Sequence, residues 1–265
     1  MRDPSAGDRP RQPSKAYQEE KGLRKPVLGD ILHPGPKQAE PAQPIIDEVV
    51  TSLFHQLPAV SGGDGDQIRK VISETVSTAL MARDVPQSQL QLPRLDVLIP
   101  ALDAARYSPI KHAFASLIAQ SMDIRAAHTV LPAYVEMLKQ LGEDELLLLR
   151  DSPKLGRFTP IADVVYVLPN DQVVAAYRNV LPPAAVKGLA HKDNVPQYVD
   201  NLVRLNLLYR PATQEAADAS YKALSRLPFV RDLMKAAPHR AQAGLEKSVI
   251  GLSDLGDKFL RACLI

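Results

Sequence analysis

The feature that most constrains the fold is the stretch 131–151 at mid-chain, whose pattern predicts two short helices joined by a tight turn. Pro132 suits the first turn of a helix, where a residue without a backbone N–H leaves no donor unpaired. Gly142 can end that helix, since glycine enters the left-handed conformation at little steric cost. The predicted buried face, at helical spacing, consists of Tyr134, Val135, Leu138 and Leu141, with Glu136, Lys139 and Gln140 turned away.

A second helix is predicted directly after the glycine. Its first turn is acidic, Glu143–Glu145, and its last turn carries Arg150, which is the favourable order of charges for a helix dipole. The body between them, Leu146–Leu149, is apolar all round, so we expect it to be buried on more than one side. Leu138 and Leu147 are therefore predicted core residues of this central corner, and none of its side chains indicates a reaction.

The composition favours helices and narrows the classes of protein. Of the 265 residues, 45% are hydrophobic but only 5% are aromatic and none is tryptophan, so Leu, Val, Ile and Ala must build the core. A net charge of +2 is too small to indicate nucleic-acid binding by itself. The N-terminus lacks a signal-peptide pattern, no run approaches the ~18 apolar residues of a membrane span, and the single cysteine excludes an internal disulfide. We therefore expect a cytoplasmic protein.

The first third of the chain divides into a tail and a helical hairpin. Residues 1–43 are rich in proline and mixed charges and lack apolar clustering, which predicts a disordered tail. Residues 44–84 are predicted to form an amphipathic hairpin, with one helix over 44–57 and another over 67–83. The glycine-rich break at 61–66 lacks the ligand pattern of a calcium loop and the Gly-Lys-Ser/Thr of a phosphate loop, so we interpret it as a linker.

The rest of the chain is predicted to be mainly α, a helical bundle with a C-terminal α+β portion. Residues 88–142 form a helical region, with helices at about 95–106 and 109–122, and residues 143–265 form the C-terminal region. The β-branched run 161–168 predicts a strand. The other predicted elements are helices at about 170–179, 183–190, 196–208 and 212–236, strands at 207–209 and 249–250, and a last helix that begins at Ser253 or Asp254. Their order resembles a winged-helix arrangement.

Five stretches of sequence occur in an order that is moderately specific when they are taken together. They are Leu95–Leu102, Phe114–Ala119, Tyr134–Leu149, Asn201–Leu208 and Leu252–Cys263. In this order they resemble the Abi-alpha family of bacterial abortive-infection proteins, over about residues 90–265. The chain departs from the family pattern at three places: Leu131 replaces a histidine, Arg106–Pro109 lacks an acidic residue, and Asn206 stands where the family prefers glycine. The resemblance implies a role in phage defence and supplies no mechanism.

A basic segment near the C-terminus is the candidate binding surface. Over residues 222–247 the Lys and Arg side chains outnumber Asp232 and Glu246. Such a segment can be a solvated face, a site for an acidic protein surface, or a set of contacts to nucleic-acid phosphates. The predicted partner-binding residues are Lys222, Arg226, Arg231, Lys235 and Arg240, with Lys247 beside them.

The helix that a winged-helix protein would place on DNA is poorly suited to that task. Phosphate binding requires several Lys or Arg side chains that release counterions. The predicted solvent face of helix 196–208 has one cation and one anion, and it consists of Gln197, Asp200, Asn201 and Arg204. A winged-helix nucleic-acid-binding regulator is therefore the alternative function and not the leading one.

No catalytic, cofactor or metal site is predicted. His112 and His128 lack the further ligands that a zinc site needs. The stretch Gly251–Gly256 has one residue too many for the Gly-x-Ser-x-Gly elbow of hydrolases, and Ser253 is better explained as a helix N-cap. Cys263 lies in an apolar stretch, where a packing role is expected. The sequence predicts a non-enzymatic abortive-infection protein with a protein partner; a weak nucleic-acid contact and a homo-oligomer stay open, and a hydrolase ranks last.

Overall fold

The computed structural model describes residues 65–212 and 216–264. The predicted tail and the predicted helix over 44–57 lie outside the described residues. The helices are α1 (Gly65–Ala82), α2 (Leu95–Ala105), α3 (Lys111–Met122), α4 (Ala133–Leu138), α5 (Glu143–Asp151), α6 (Val195–Arg204), α7 (Asp218–Ser225), α8 (Pro228–Lys235) and α9 (Asp254–Cys263). The strands are β1 (Thr159–Val167), β2 (Val173–Val180), β3 (Leu208–Tyr209) and β4 (Gln242–Leu252).

Helix α3 is the centre of a helical bundle. Every residue from Ala113 to Met122 is buried, because α1, α2, α4 and α9 all pack around this helix. Helix α1 buries Ile72, Val76 and Leu80, which share one face at helical spacing. The helices predicted at 67–83, 95–106 and 109–122 are confirmed, with small shifts at their ends. Helices predominate in the described part of the chain, as predicted.

The central corner folds as α4 and α5, with two corrections to the prediction. Gly142 does not end α4 in the left-handed conformation, since its φ is −101° and it is the N-cap of α5. The Glu145 carboxylate fixes this geometry, because its Oε2 accepts a hydrogen bond from the Gly142 N–H at 2.8 Å. Leu147 is only partly buried, whereas the other three residues of Leu146–Leu149 are buried. Four successive leucines surround a helix, so one of them faces the side that is least covered.

The four strands form one antiparallel sheet in the order β2-β1-β4-β3. The predicted strand over 161–168 is confirmed as β1, and the predicted strands at 207–209 and 249–250 are paired as β3 and the end of β4. The long β4 pairs with β1 from Thr159 to Val167. The C-terminal half therefore contains more sheet than the sequence analysis predicted.

Two predicted helices in the C-terminal half are wrong. Residues 173–180, placed in a helix over 170–179, form β2 and pair with β1 through a tight turn in which Leu168 N–H donates to Gln172 O at 2.9 Å. The pairing is favoured because valine and tyrosine fit a pleated surface next to the β-branched β1. Residues 183–190 form turns and not a helix. Gly188 at φ 90° lies among them, in a conformation that interrupts a right-handed helix.

The sheet separates two apolar clusters. The larger cluster joins side chains of the bundle, from Ile72 in α1 to Cys263 in α9, with one face of the sheet. The smaller cluster joins the opposite face to α7 and α8, through Val164, Tyr221 and Val230 among others. No helix in the described part of the chain is long and apolar enough to cross a membrane.

The joint between α6 and α9 explains Ser253 and Gly256 of the stretch 251–256. Asn206 follows α6 at φ 55°, and the Leu207 N–H donates to Leu202 O, which is the pattern of a helix end closed by a left-handed residue. Such a residue is usually glycine, and asparagine is among the few other residues that adopt this conformation readily. Ser253 Oγ accepts from Gly256 N–H at 2.8 Å and donates to Asn206 O at 2.5 Å, so the predicted N-cap is confirmed. A Cβ on Gly256 would lie 2.1 Å from Leu207 O, which explains the glycine.

Candidate functional site

The predicted partner-binding residues lie on α7, on α8 and in the turn that leads to β4. Lys222 belongs to α7 and Arg226 caps its end, Arg231 and Lys235 belong to α8, and Arg240 lies in the turn. All five side chains are exposed. None of them forms an ion pair or a side-chain hydrogen bond with another described residue. We call these five side chains the basic surface.

A buried and a half-buried tyrosine hold the helices of the basic surface against the sheet. Tyr221 in α7 is 2% exposed, and its hydroxyl donates to Ser248 O of β4 at 2.9 Å. Tyr166 in β1 donates to Leu233 O of α8 at 2.6 Å. Val230 of α8 is fully buried in the same cluster. Four of the five cations therefore project from helices, or from the cap of a helix, that hydrogen bonds and packing fix to the sheet, and Arg240 projects from the turn that follows.

Lys247, the sixth cation of the basic segment, differs from the other five. Its Nζ lies 2.8 Å from Asp218 Oδ1 and 5.3 Å from the centre of the Tyr221 ring. The hydrogen bond from Lys247, together with its charge, holds the pKa of Asp218 below its ordinary value. Lys247 is thus engaged within the protein, and we leave it out of the basic surface.

The chemistry of the basic surface is that of anion binding. In the described residues of the segment, 216–247, the carboxylates other than Asp218 are Asp232 and Glu246, and both are exposed. Among the residues that the structure describes here, five cations without an ion-pair partner therefore face solvent against two carboxylates. Guanidinium groups bind carboxylates and phosphates through paired hydrogen bonds, and ammonium groups bind them as point charges. The surface can recognise an acidic protein or a polyanion.

The outer face of α6 makes more contacts within the protein than the sequence predicted. Asn201 was expected to face solvent, but its Nδ2 donates to Glu145 Oε1 at 2.7 Å and to Gln140 O at 2.9 Å. Arg204 is exposed as predicted, and it donates to Gln140 Oε1 at 2.7 Å. The central corner packs alongside this face, a long-range contact that helical periodicity does not reveal. Gln197 remains an exposed residue of α6.

A polar cluster between β1, β2 and α6 was missed by the sequence analysis. Asn179 is fully buried at φ 60°; its N–H donates to Asp163 Oδ1 at 2.7 Å and its Nδ2 to Asp200 Oδ1 at 2.9 Å. Its Oδ1 accepts from Arg210. Arg178 lies 3.7 Å from a carboxylate oxygen of each aspartate. Two carboxylates balance two guanidinium groups, so the cluster fastens α6 to the sheet. The asparagine itself was the available signal, since asparagine adopts positive φ more readily than most residues.

Asp144 is the second buried acceptor that the sequence analysis missed. Its carboxylate accepts from the N–H groups of Ala190 and His191, at 2.9 and 2.8 Å, and from the Tyr198 hydroxyl at 3.2 Å. Burial alone would raise the pKa of Asp144, but these hydrogen bonds outweigh it and the net pKa lies below the ordinary value. The residue predicted to complement the α5 dipole therefore also anchors the loop before α6.

The residues considered for catalysis or metal binding are a buried cysteine, an N-cap serine and two exposed histidines. Cys263 is fully buried, as expected for a packing residue, and burial raises the pKa of its thiol. Arg83 donates to Ala262 O at 3.2 Å at the end of α9, and burial lowers the pKa of its guanidinium to about 10. His112 and His128 are exposed. Across residues 65–212 and 216–264, no group of three or more His, Cys, Asp or Glu residues is arranged to hold a metal ion.

Comparison with known proteins identifies the family. A model of the family described as "Abortive infection alpha" matches residues 67–263. The match begins earlier than the resemblance at residues 90–265, and it takes in α1, which packs against the central α3. No match was found among curated proteins or among solved structures. Because the family model covers the bundle, the sheet and the basic surface alike, the chain belongs to the Abortive infection alpha family.

Proposed function

We propose that this protein acts in abortive infection, the defence of bacteria against phage, by binding a protein partner through the basic surface and without a catalytic step. The observation that carries the proposal is the state of the five cations: Lys222, Arg226, Arg231, Lys235 and Arg240 are exposed and unengaged within the described residues. Family membership supports the abortive-infection role. Cys263 is a free, buried thiol, in keeping with the reducing cytoplasm in which we place the protein.

An acidic protein surface fits the basic surface better than a nucleic acid does. Proteins that bind nucleic acid through phosphates combine many cations, and this chain has a net charge of only +2. The cations are also divided between two short helices and a turn. Exposed cations at the rim of a protein interface chiefly guide the encounter and discriminate between partners. We therefore infer an acidic surface as the partner of these side chains.

The experiment is a pull-down of the tagged full chain from infected cells, with and without nuclease treatment. The test variant carries Arg226→Gln, Arg231→Gln and Lys235→Gln, which remove three charges of the basic surface. The matched control carries Lys70→Gln, Lys187→Gln and Lys258→Gln, which remove three exposed charges elsewhere. We expect the wild type and the control to capture a partner that survives nuclease, and the test variant to lose it.

A winged-helix regulator that binds nucleic acid is the second candidate. The observation that favours it is that β3 follows α6 and pairs with β4, as the strands of a wing follow a reading helix, with α7 and α8 inserted between the two strands. Substitution of Asn201 would be a poor test, because this side chain holds α6 to the central corner. Gln197→Ala and Arg204→Gln change exposed side chains instead, and Arg204→Gln also removes a hydrogen bond to Gln140. Binding to DNA that depends on these two residues at physiological salt would favour this candidate over the first.

A further inference from the structure

The outer side of α2 exposes an apolar stripe. Leu92, just before the helix, is 68% exposed, and Leu95 and Ile99 within it are 62% and 56% exposed. Their spacing of three and four residues places these side chains on one side of the helix. The opposite side of α2 is buried in the bundle. A helix that is apolar on two opposite sides is normally covered on both, so the stripe requires an occupant. We call these three side chains the α2 stripe.

A second apolar stripe belongs to the helix predicted over 44–57, which lies outside the described residues. Its apolar residues are Ile45, Ile46, Val49, Val50, Leu53, Phe54 and Leu57. Among them, Ile46, Val49 and Leu53 repeat the spacing of the α2 stripe. Because apolar residues occur here in adjacent pairs, this second stripe is wide enough to contact two neighbouring helices. One of them can be α1, its predicted partner in the hairpin, and the other α2.

The ends of α1 and α2 are fixed relative to α3. Arg83, just after α1, donates to Gln120 Oε1, and Gln91, just before α2, donates to Ser121 O at 2.9 Å. The end of α1 and the start of α2 therefore both lie near the end of α3. Since α1 and α2 each pack along α3, the start of α1 lies at the opposite end of the bundle, where α2 ends.

The connection to α1 allows the second stripe to reach α2. Residues 58–64 link the segment to Gly65 at the start of α1 and span at most about 24 Å. Thirteen residues of helix extend about 20 Å, and the α2 stripe extends about 10 Å along its own helix. A segment that ends beside the last turn of α2 is thus long enough to run back over the whole stripe.

We propose that residues 45–57 pack as a helix along the outer side of α2, with Ile46, Val49 and Leu53 against the α2 stripe. The segment runs towards the start of α1, which lies beside the end of α2, so the two helices are parallel. This packing completes the bundle with a segment of the same chain. It does not depend on what the basic surface binds.

Charge favours this segment over a second copy or a membrane surface. The α2 stripe ends at Asp103, an exposed carboxylate one turn past Ile99. Residues 49–57 contain no carboxylate, so the segment brings no like charge to this end. A second copy packed by its own α2 would bring another Asp103 into the interface, and anionic lipids would be repelled by the carboxylate.

The parallel direction also suits the charges at the start of the α2 stripe. Arg94 is exposed there, and its Nη2 lies 2.5 Å from Asp96 Oδ2. A parallel segment brings Asp47 and Glu48 to the end that carries this guanidinium. An antiparallel segment would bring the same two carboxylates towards Asp103, where no attraction compensates for the repulsion between like charges.

The first test follows the exchange of backbone amide hydrogens in the full-length protein by mass spectrometry. We expect the amides of residues 45–57 to be protected in the wild type. In Ile99→Lys, which places a charge in the α2 stripe, these amides are expected to exchange as in an unstructured peptide, while those of α3 stay protected. Val173→Lys is the matched control, because Val173 is 57% exposed on β2, away from α2.

The control is expected to keep the protection of residues 45–57. Free exchange of these residues in the wild type overturns the proposal. Protection that survives Ile99→Lys also overturns it, as expected if a second copy or another protein covered the α2 stripe. Equal loss of protection in Val173→Lys overturns it as well, because that substitution does not touch α2.

Cysteine pairs give a second measurement that does not depend on a disruptive charge. Val49→Cys with Leu95→Cys, and Leu53→Cys with Ile99→Cys, are placed to face each other, and at least one pair is expected to form a disulfide within the chain in dilute solution. His55→Cys with Ile99→Cys is the control, since residue 55 lies on the side of the predicted helix opposite to Leu53. Cys263 is buried and does not compete. If neither pair closes, if the control closes equally, or if the disulfide links two chains, the proposed packing is wrong.

Discussion

Truncation of two leucines of α5, Leu147 and Leu149, tests how the central corner packs. Leu149 is fully buried in the large apolar cluster, whereas Leu147 is only partly buried at its margin. We therefore expect Leu149→Ala to lower the free energy of unfolding far more than Leu147→Ala. The two substitutions remove the same atoms from the same helix, so helix propensity and charge are matched within the pair.

The magnitude follows from the burial of each side chain. Leucine to alanine removes three carbon atoms, which at roughly 0.8 kcal/mol for each buried group amounts to about 2.4 kcal/mol of lost transfer free energy. At Leu149 a closed cavity adds to this loss, so we expect about 3–5 kcal/mol. At Leu147 the space opens towards solvent and part of the side chain is already exposed, so we expect about 1 kcal/mol.

The assay is equilibrium unfolding in urea followed by circular dichroism at 222 nm, with the slope of the transition checked for both variants. Equal slopes allow the two free energies of unfolding to be compared directly. If the two variants lose the same stability, or if Leu147→Ala loses more, the assignment of the buried side of α5 is wrong. A loss below about 1.5 kcal/mol at Leu149 would also contradict the tight packing of the corner.

Three further predictions concern single polar or small residues. Asp144→Asn is expected to destabilise the fold by about 2–3 kcal/mol at pH 7, because an amide cannot accept all the hydrogen bonds of the carboxylate. The folded-state pKa of Asp144 is lowered, so this stabilisation is present above the unfolded pKa of about 3.9 and is lost as the pH falls through the folded pKa. The difference in stability between the wild type and Asp144→Asn should therefore close when urea unfolding is repeated at acidic pH. Ser253→Ala should cost about 1 kcal/mol in urea unfolding through the lost N-cap, and a neutral result would exclude the cap. Gly256→Ala should lower the melting temperature more than Ser253→Ala, because its Cβ would meet a backbone oxygen; Glu136→Ala, exposed on α4, should leave it nearly unchanged.

Local patterns in the sequence predicted those parts of the fold that depend on a single element. The helical spacing of Ile72, Val76 and Leu80 requires one buried face, and α1 has that face. The N-cap Ser253 and the exposed cations of α7 and α8 also follow from neighbouring residues alone. Such features are decided by the periodicity and the caps of one helix.

Features that depend on distant residues were not predictable in this way. Val173–Val180 is compatible with a helix or a strand, and its pairing with β1 decides between them. The outward face of α6 was misjudged at Asn201, because Glu145 and Gln140 come from a helix pair far away in the sequence. Asp144 was likewise interpreted only as a charge that complements the helix dipole. No pattern in the sequence indicated that the backbone N–H groups of residues 190 and 191 donate to its carboxylate.

The measurement that tests the central claim most directly is the efficiency of phage plating on cells that express the protein. The comparison is between the wild type, the variant with Arg226→Gln, Arg231→Gln and Lys235→Gln, and the control with Lys70→Gln, Lys187→Gln and Lys258→Gln, at equal expression. We predict that the first variant loses protection while the control keeps it, because only the first removes charges of the basic surface. Full protection by the first variant, or equal loss in both, would contradict the proposal that the basic surface binds the partner.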